Sequence, residues 1–123
     1  RPTLSQRRTR HASAILQVLD KITAETIRFE ARVGRPVRYK GLVFTVRSCE
    51  TTAPAEARRD SLAYVEVRAQ PRVAGREDQP SRQVFRGWMS AQSPGVNAME
   101  HPIYDAWLIS CKAPSPSVSR ESR

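Results

Sequence analysis

Residue types found in hydrolytic triads lie near the end of the chain. His101 is followed by Asp105, and Ser90 and Ser93 precede both. A histidine whose ring is oriented by a carboxylate can take the proton of a serine hydroxyl. The sequence lacks the Gly-x-Ser-x-Gly turn that presents the serine in one large class of hydrolases. The same residues fit a turn at His101-Pro102 with Asp105 in a nearby salt bridge, so a small periplasmic hydrolase is only the weaker alternative function.

Aromatic and arginine side chains suggest a second kind of chemistry. In small barrels that bind nucleic acid, aromatic rings stack on bases while arginines contact phosphates. The rings are those of Tyr64, Trp88, Tyr104 and Trp107, and the arginines are Arg47, Arg68 and Arg86. Tryptophans on neighbouring strands also pack in cores, and Trp107 shares an alternating face with Ile109 and Cys111. We therefore expect Trp107 in the core, and a small nucleic-acid-binding β-barrel is the alternative function.

The only two cysteines, Cys49 and Cys111, each end a strand-like run. A disulfide between them would close a loop of ~60 residues, which is worth roughly 4 kcal/mol in the chain-entropy model. Two unrelated buried thiols are the other explanation. The sequence has no Cys-x-x-Cys and no Cys/His cluster, so we expect no metal site and no cofactor. We predict the disulfide, and with it an oxidising compartment.

The charge of the chain narrows the choice of partner. There are 21 basic and 12 acidic residues among 123, for a net charge of +9, and the only lysines are Lys21, Lys40 and Lys112. Nucleic acid, an anionic membrane surface and an acidic protein face all suit this balance. A bias toward arginine on a solvated surface would give the same composition. No apolar run approaches the ~18 residues of a membrane span.

Alternating apolar residues predict several short strands. Ile27, Phe29, Ala31 and Val33 alternate with polar residues, and the runs 42–46 and 63–69 do the same. We predict a hairpin turn at Lys40-Gly41 in which Gly41 supplies a positive φ. Residues 14–22 are ambiguous between helix and strand, and we predict a strand that bends near Asp20.

These elements predict an all-β domain over residues 14–112. It is a small antiparallel barrel or sandwich with one disulfide. Residues 1–13 form a basic, flexible arm that carries Arg7, Arg8 and Arg10. Residues 113–123 form a flexible Pro/Ser-rich tail.

Several pieces of the sequence resemble one bacterial family. The most specific are Gly87-Trp88-Met89 and the Glu-His-Pro-x-Tyr-Asp-x-Trp run from Glu100 to Trp107. Further pieces occur in the same order between residues 19 and 112. They are Leu19-Asp20-Lys21-Ile22-Thr23-Ala24, Val33-Gly34, Gly41-Leu42, Val46-Arg47-Ser48-Cys49, Ala63-Tyr64-Val65-Glu66-Val67, Phe85-Arg86 and Ser93-Pro94. Together they resemble domain of unknown function 2155, a family of exported alphaproteobacterial proteins.

The resemblance implies a location in the cell envelope behind a cleaved leader. Members of the family also look like supernumerary subunits of respiratory complex I, the NADH:quinone oxidoreductase, on its periplasmic side. The resemblance implies no catalytic residues for this chain. It implies that Cys49 and Cys111 form a structural pair.

We therefore expect a non-catalytic accessory subunit, with no enzymatic activity of its own and no small-molecule substrate. It binds and stabilises a membrane-embedded complex, respiratory complex I, from the periplasm, where it associates peripherally with the inner membrane. Anionic lipid is an additional expected contact, and nucleic acid is not an expected partner. The loop from Ser93 to Pro102 is part of the expected docking surface. The residues expected to contact the partner are Arg7, Arg8, Arg10, Trp88, Met89, Pro94 and Tyr104.

Overall fold

The structure is a computed structural model that describes residues 7–71 and 80–112. It contains eight strands within these ranges. They are β1 (Thr9–Arg10), β2 (Ser13–Asp20), β3 (Thr26–Arg32), β4 (Val37–Tyr39), β5 (Leu42–Thr51), β6 (Ser61–Ala69), β7 (Arg82–Ser90) and β8 (Tyr104–Lys112). The prediction of an all-β fold is confirmed.

The strands form two antiparallel sheets. The five-stranded sheet has the order β1-β5-β6-β7, with β4 also paired to β5, and the three-stranded sheet has the order β3-β2-β8. Of the two predicted architectures, this is the sandwich. The segment 14–20 is a strand, as predicted, and the chain turns after Asp20.

The core lies between the sheets because alternate residues of each strand face inward. Leu16, Val18 and Leu108 of the three-stranded sheet are buried against Phe44 and Val65 of the five-stranded sheet. Burial of these apolar side chains is the main favourable contribution to folding.

A disulfide joins the two sheets, as predicted. Cys49 in β5 is bonded to Cys111 in β8, at a sequence separation of 62. Because β5 belongs to one sheet and β8 to the other, the bond covalently fixes one sheet to the other next to the core.

The folded domain begins earlier than residue 14. Thr9 and Arg10 pair with Thr51 and Glu50 in the five-stranded sheet, and Ser13 already pairs in the other sheet. The predicted arm is therefore partly sheet, since its backbone groups bond to distant strands. Residues 1–6 of that arm, and the whole predicted tail 113–123, lie outside the described residues.

Two local predictions are corrected. In the β4–β5 turn the positive φ belongs to Lys40, at 53°, and not to Gly41. Trp107 does not face the core, because a β-bulge shifts the β2–β8 register between Ile15 and Leu16. Ala106 and Leu108 point inward in its place.

Candidate docking surface

The geometry of His101 does not suit a hydrolytic triad. Its Nδ1 accepts the backbone N–H of Ile103 at 3.0 Å and that of Tyr104 at 3.4 Å. Burial lowers the pKa of His101, and the charges of Arg82 and Lys21 add to the effect. A neutral ring with an accepting Nδ1 carries its proton on Nε2, which then cannot take a proton from a serine.

The other members of the predicted triad are engaged elsewhere. Asp105 forms a salt bridge with Lys21 at 3.4 Å. The Ser90 hydroxyl donates to Asp60, whose second oxygen accepts the backbone N–H of Gln92 at 3.0 Å. These contacts fix loops at the ends of strands, so they give a structural role to the residues singled out for hydrolysis.

Part of the predicted aromatic and arginine set lies on the outward side of the five-stranded sheet, whereas Tyr104 and Trp107 belong to β8 of the other sheet. Every second pair of opposite residues on β6 and β7 lies on this side, because the pairs between them face the core. Successive outward pairs are Arg68 with Gln83, Glu66 with Arg86, and Tyr64 with Trp88. We call this outward side, with Arg47 of β5, the arginine–aromatic face.

The aromatic pair is the apolar centre of this face. The rings of Tyr64 and Trp88 have centroids 5.5 Å apart and planes at 71°, an edge-to-face contact. Trp88 nevertheless remains 42% exposed. The contact fixes the orientation of the indole while leaving much of its surface available to a partner.

The arginines around this pair differ in how they are engaged. Arg47 donates from Nε to Glu66 at 3.0 Å, and Arg68 donates to the Ser81 hydroxyl at 2.7 Å. Among residues 7–71 and 80–112, Arg86 has no carboxylate within ion-pair distance. Glu66, which is opposite Arg86, bonds to Arg47, so these three side chains together carry one net positive charge beside the exposed indole.

The N-terminal arginines join the same side of the sheet. Arg10 is opposite Glu50, whose neighbour Cys49 faces the core, so Arg10 is on the outward side. Arg8 forms a two-point contact with Glu56, with both distances at 3.2 Å. This contact ties Arg8 to the loop after β5, while Arg10 stays exposed. Residues far apart in sequence, predicted separately as partner contacts, thus share one surface.

The structure separates the remaining predicted contacts from this face. Met89 is only 3% exposed and belongs to the core, so it is not among the residues that can contact a partner. Tyr104 is half-buried, with its ring 6.0 Å from that of Tyr39. Pro94 is exposed and lines a pocket of ≈ 300 Å³ with Met99 and Trp107. Arg7 is exposed.

Two exposed apolar side chains were not predicted as partner contacts in their own right. Ile22, in the β2–β3 turn, is 76% exposed, and Val96, in the loop between β7 and β8, is 82% exposed. Val96 lies within the predicted loop 93–102, whereas Ile22 was assigned to a strand. A large apolar residue directly after the Asp20 bend was the signal that could have identified Ile22.

Two other kinds of site, a membrane-spanning helix and a metal-binding cluster of side chains, are absent from the described part of the chain. Residues 7–71 and 80–112 contain no helix long and apolar enough to cross a membrane. The same ranges contain no cluster of three histidine, cysteine or acidic side chains placed to hold a metal ion.

Comparisons with known proteins identify one family. A family model described as "Uncharacterized protein conserved in bacteria (DUF2155)" matches residues 14–111. The search of curated proteins and the search of solved structures each find no match.

Proposed function

Since this chain belongs to the DUF2155 family of bacterial proteins, we propose that it is a non-catalytic accessory subunit that docks on a larger membrane-embedded complex. We propose respiratory complex I as that complex and its periplasmic side as the place of contact. The observation that carries the proposal is the arginine–aromatic face. Trp, Tyr and Arg are the residue types that dominate binding energy in protein interfaces.

The disulfide supports the proposed location. Cys49 and Cys111 are bonded, and the described residues include no free cysteine. Such bonds persist in oxidising compartments, among them the bacterial periplasm. A thiol titration of the unreduced protein should find no reactive thiol, and two free thiols would contradict export.

A tagged copy purified from membranes in mild detergent tests the partner. We expect mass spectrometry to find respiratory complex I subunits in stoichiometric amounts with the tagged chain. The same purification from cells that express the untagged chain is the control. Recovery of the chain alone would remove this partner.

A nucleic-acid-binding module is the second candidate, because arginines and aromatics on one sheet face also suit single strands. One feature disfavours it: the edge-to-face contact of Tyr64 and Trp88 occupies ring surface that a base would stack on. Nucleic-acid binding predicts that the logarithm of affinity falls by about 0.7–0.9 per neutralised phosphate for each tenfold rise in salt.

A further inference from the structure

We propose that the arginine–aromatic face binds an acidic segment of a partner protein, with an apolar side chain of that segment against Trp88. This inference rests on the proposed docking function and names the surface and the chemistry of its occupant. The observations that carry it are the exposure of Trp88, the two arginines, Arg47 and Arg86, that flank the single carboxylate of Glu66, and the placement of Arg10 on the same side of the sheet.

The order of the outward residues determines which sequence pattern the bound segment needs. Along β7 the outward side passes from Arg86 to Trp88, and across the sheet the row beyond the aromatic pair ends at Arg10. Alternate residues of a strand are about 7 Å apart, which is also the spacing of same-side residues in an extended segment. An extended segment along β7 that sets an apolar residue against Trp88 can therefore place a carboxylate at Arg86. Arg10, three strands across the sheet, adds positive charge to the same side.

Arginine is suited to such an occupant. Its planar guanidinium contacts a carboxylate through two parallel hydrogen bonds, whereas a lysine ammonium acts as a point charge. The only lysine of the five-stranded sheet region, Lys40, already contacts Asp20 at 3.0 Å. A second copy of this chain is a poor occupant, since the net charge of +9 makes copies repel.

The first test measures binding through the fluorescence of Trp88. Replacing Trp107 by Phe leaves Trp88 as the single tryptophan of the chain. The probe is a short peptide of glutamates with one central leucine, added to the full chain at physiological salt. We expect saturable binding that Arg86→Glu weakens about tenfold or more, which is the loss typical of an interface arginine.

Arg35→Glu is the matched control, because it changes the net charge equally at an exposed turn outside the face. We expect it to change affinity by about twofold at most, since isolated surface charges contribute little. Equal losses in the two variants would overturn the proposal, because binding would then follow net charge alone. Absence of binding to the peptide would also overturn it. Tighter, Arg86-dependent binding of oligothymidylate or of phosphatidylglycerol vesicles would assign the face to nucleic acid or lipid instead.

The second test locates the partner on the chain in intact membranes. A photo-crosslinking amino acid at Gln83 is placed on the face, and one at Thr26 is the control on the outward side of the other sheet. Both positions are exposed strand residues. We expect Gln83 to crosslink to a peptide rich in Asp and Glu, and Thr26 to give little product.

The outcomes separate this inference from the proposed function. Complex I recovered with crosslinks only from Thr26 leaves the function standing and overturns the face as its docking surface. An acidic peptide of another protein crosslinked to Gln83, without complex I, supports the face and overturns the partner. Crosslinks from Gln83 to a basic peptide or to nucleic acid overturn the inference.

Discussion

Removing the disulfide between Cys49 and Cys111 should destabilise the domain strongly. The bond closes a loop with a sequence separation of 62 and joins β5 of one sheet to β8 of the other. In the chain-entropy model a loop of this length lowers the entropy of the unfolded chain enough to contribute about 4 kcal/mol. Single domains of this size are typically stable by about 5–15 kcal/mol, so the loss is a large part of the total.

Urea denaturation of the Cys49→Ala/Cys111→Ala double variant measures this loss. With an m value of about 1–2 kcal/mol/M, the midpoint should fall by roughly 2–4 M. Wild-type protein kept reduced by dithiothreitol is the control, and its midpoint should match that of the double variant within experimental error. A loss below about 1 kcal/mol in both would refute the reasoning, because the core alone would then be holding the sheets together.

Three further substitutions test the packing and the electrostatics. Phe44→Ala leaves a cavity where a side chain that is 0% exposed had packed, and should lower the free energy of unfolding in urea by about 3–5 kcal/mol. Gly87→Ala would place a Cβ 2.6 Å from Nδ2 of Asn97, which donates a hydrogen bond to the Trp88 carbonyl, and should cost about 1 kcal/mol. In an Asn97→Ala background, where that hydrogen bond is already absent, the same change should cost much less. Hydrogen bonds from Lys40 and from backbone N–H groups lower the pKa of Asp20, so its charged form stabilises the fold above the ordinary carboxyl pKa. That stabilisation is lost as the pH falls through the lowered folded-state pKa. Asp20→Asn should therefore lower the urea midpoint at pH 7 and make the midpoint depend less on pH in this acid range. An unchanged dependence on acid pH would contradict this role of Asp20.

Much of the fold could be predicted from alternation along single strands. The inward positions of β5 and β6 follow the predicted pattern, so Phe44, Val46 and Val65 are buried. The disulfide was also predictable, because two strand-ending cysteines were the only ones available to pair. These signals are local, and they depend only on the two-residue period of a strand.

The orientation of Trp107 could not be predicted in this way. Counting back from Cys111 in steps of two places Trp107 on the core side. The β-bulge between β2 and β8 adds a residue to β8 near Ile109, which reverses the side for every residue before it. A bulge depends on the partner strand, so the sequence of β8 alone contains no sign of it. The pairing of Thr9 and Arg10 with β5 was hidden for the same reason.

The incorrect prediction that Met89 contacts a partner could have been avoided from the sequence alone. Trp88 and Met89 are neighbours in a predicted strand, and neighbours in a strand face opposite sides. Only one of them could therefore reach a partner from the sheet, and the structure assigns that position to Trp88. What alternation could not supply is that Arg10 lies on the same side, since this requires the register of β1 on β5.

The outward sides of the two sheets differ in their contacts, and this difference bears on which sheet a partner would contact. Around Trp107, Arg28 donates two hydrogen bonds to Gln17, at 3.0 and 2.8 Å, and Lys112 pairs with Glu30 at 3.0 Å. A partner that binds these side chains would have to break their contacts, although Arg32 on the same side forms no ion pair within the described ranges. Around Trp88 the nearby Arg86 has no such ion pair within the described ranges. Because Trp88 is also the more exposed of the two tryptophans, this comparison supports the proposal that a partner docks on the five-stranded sheet.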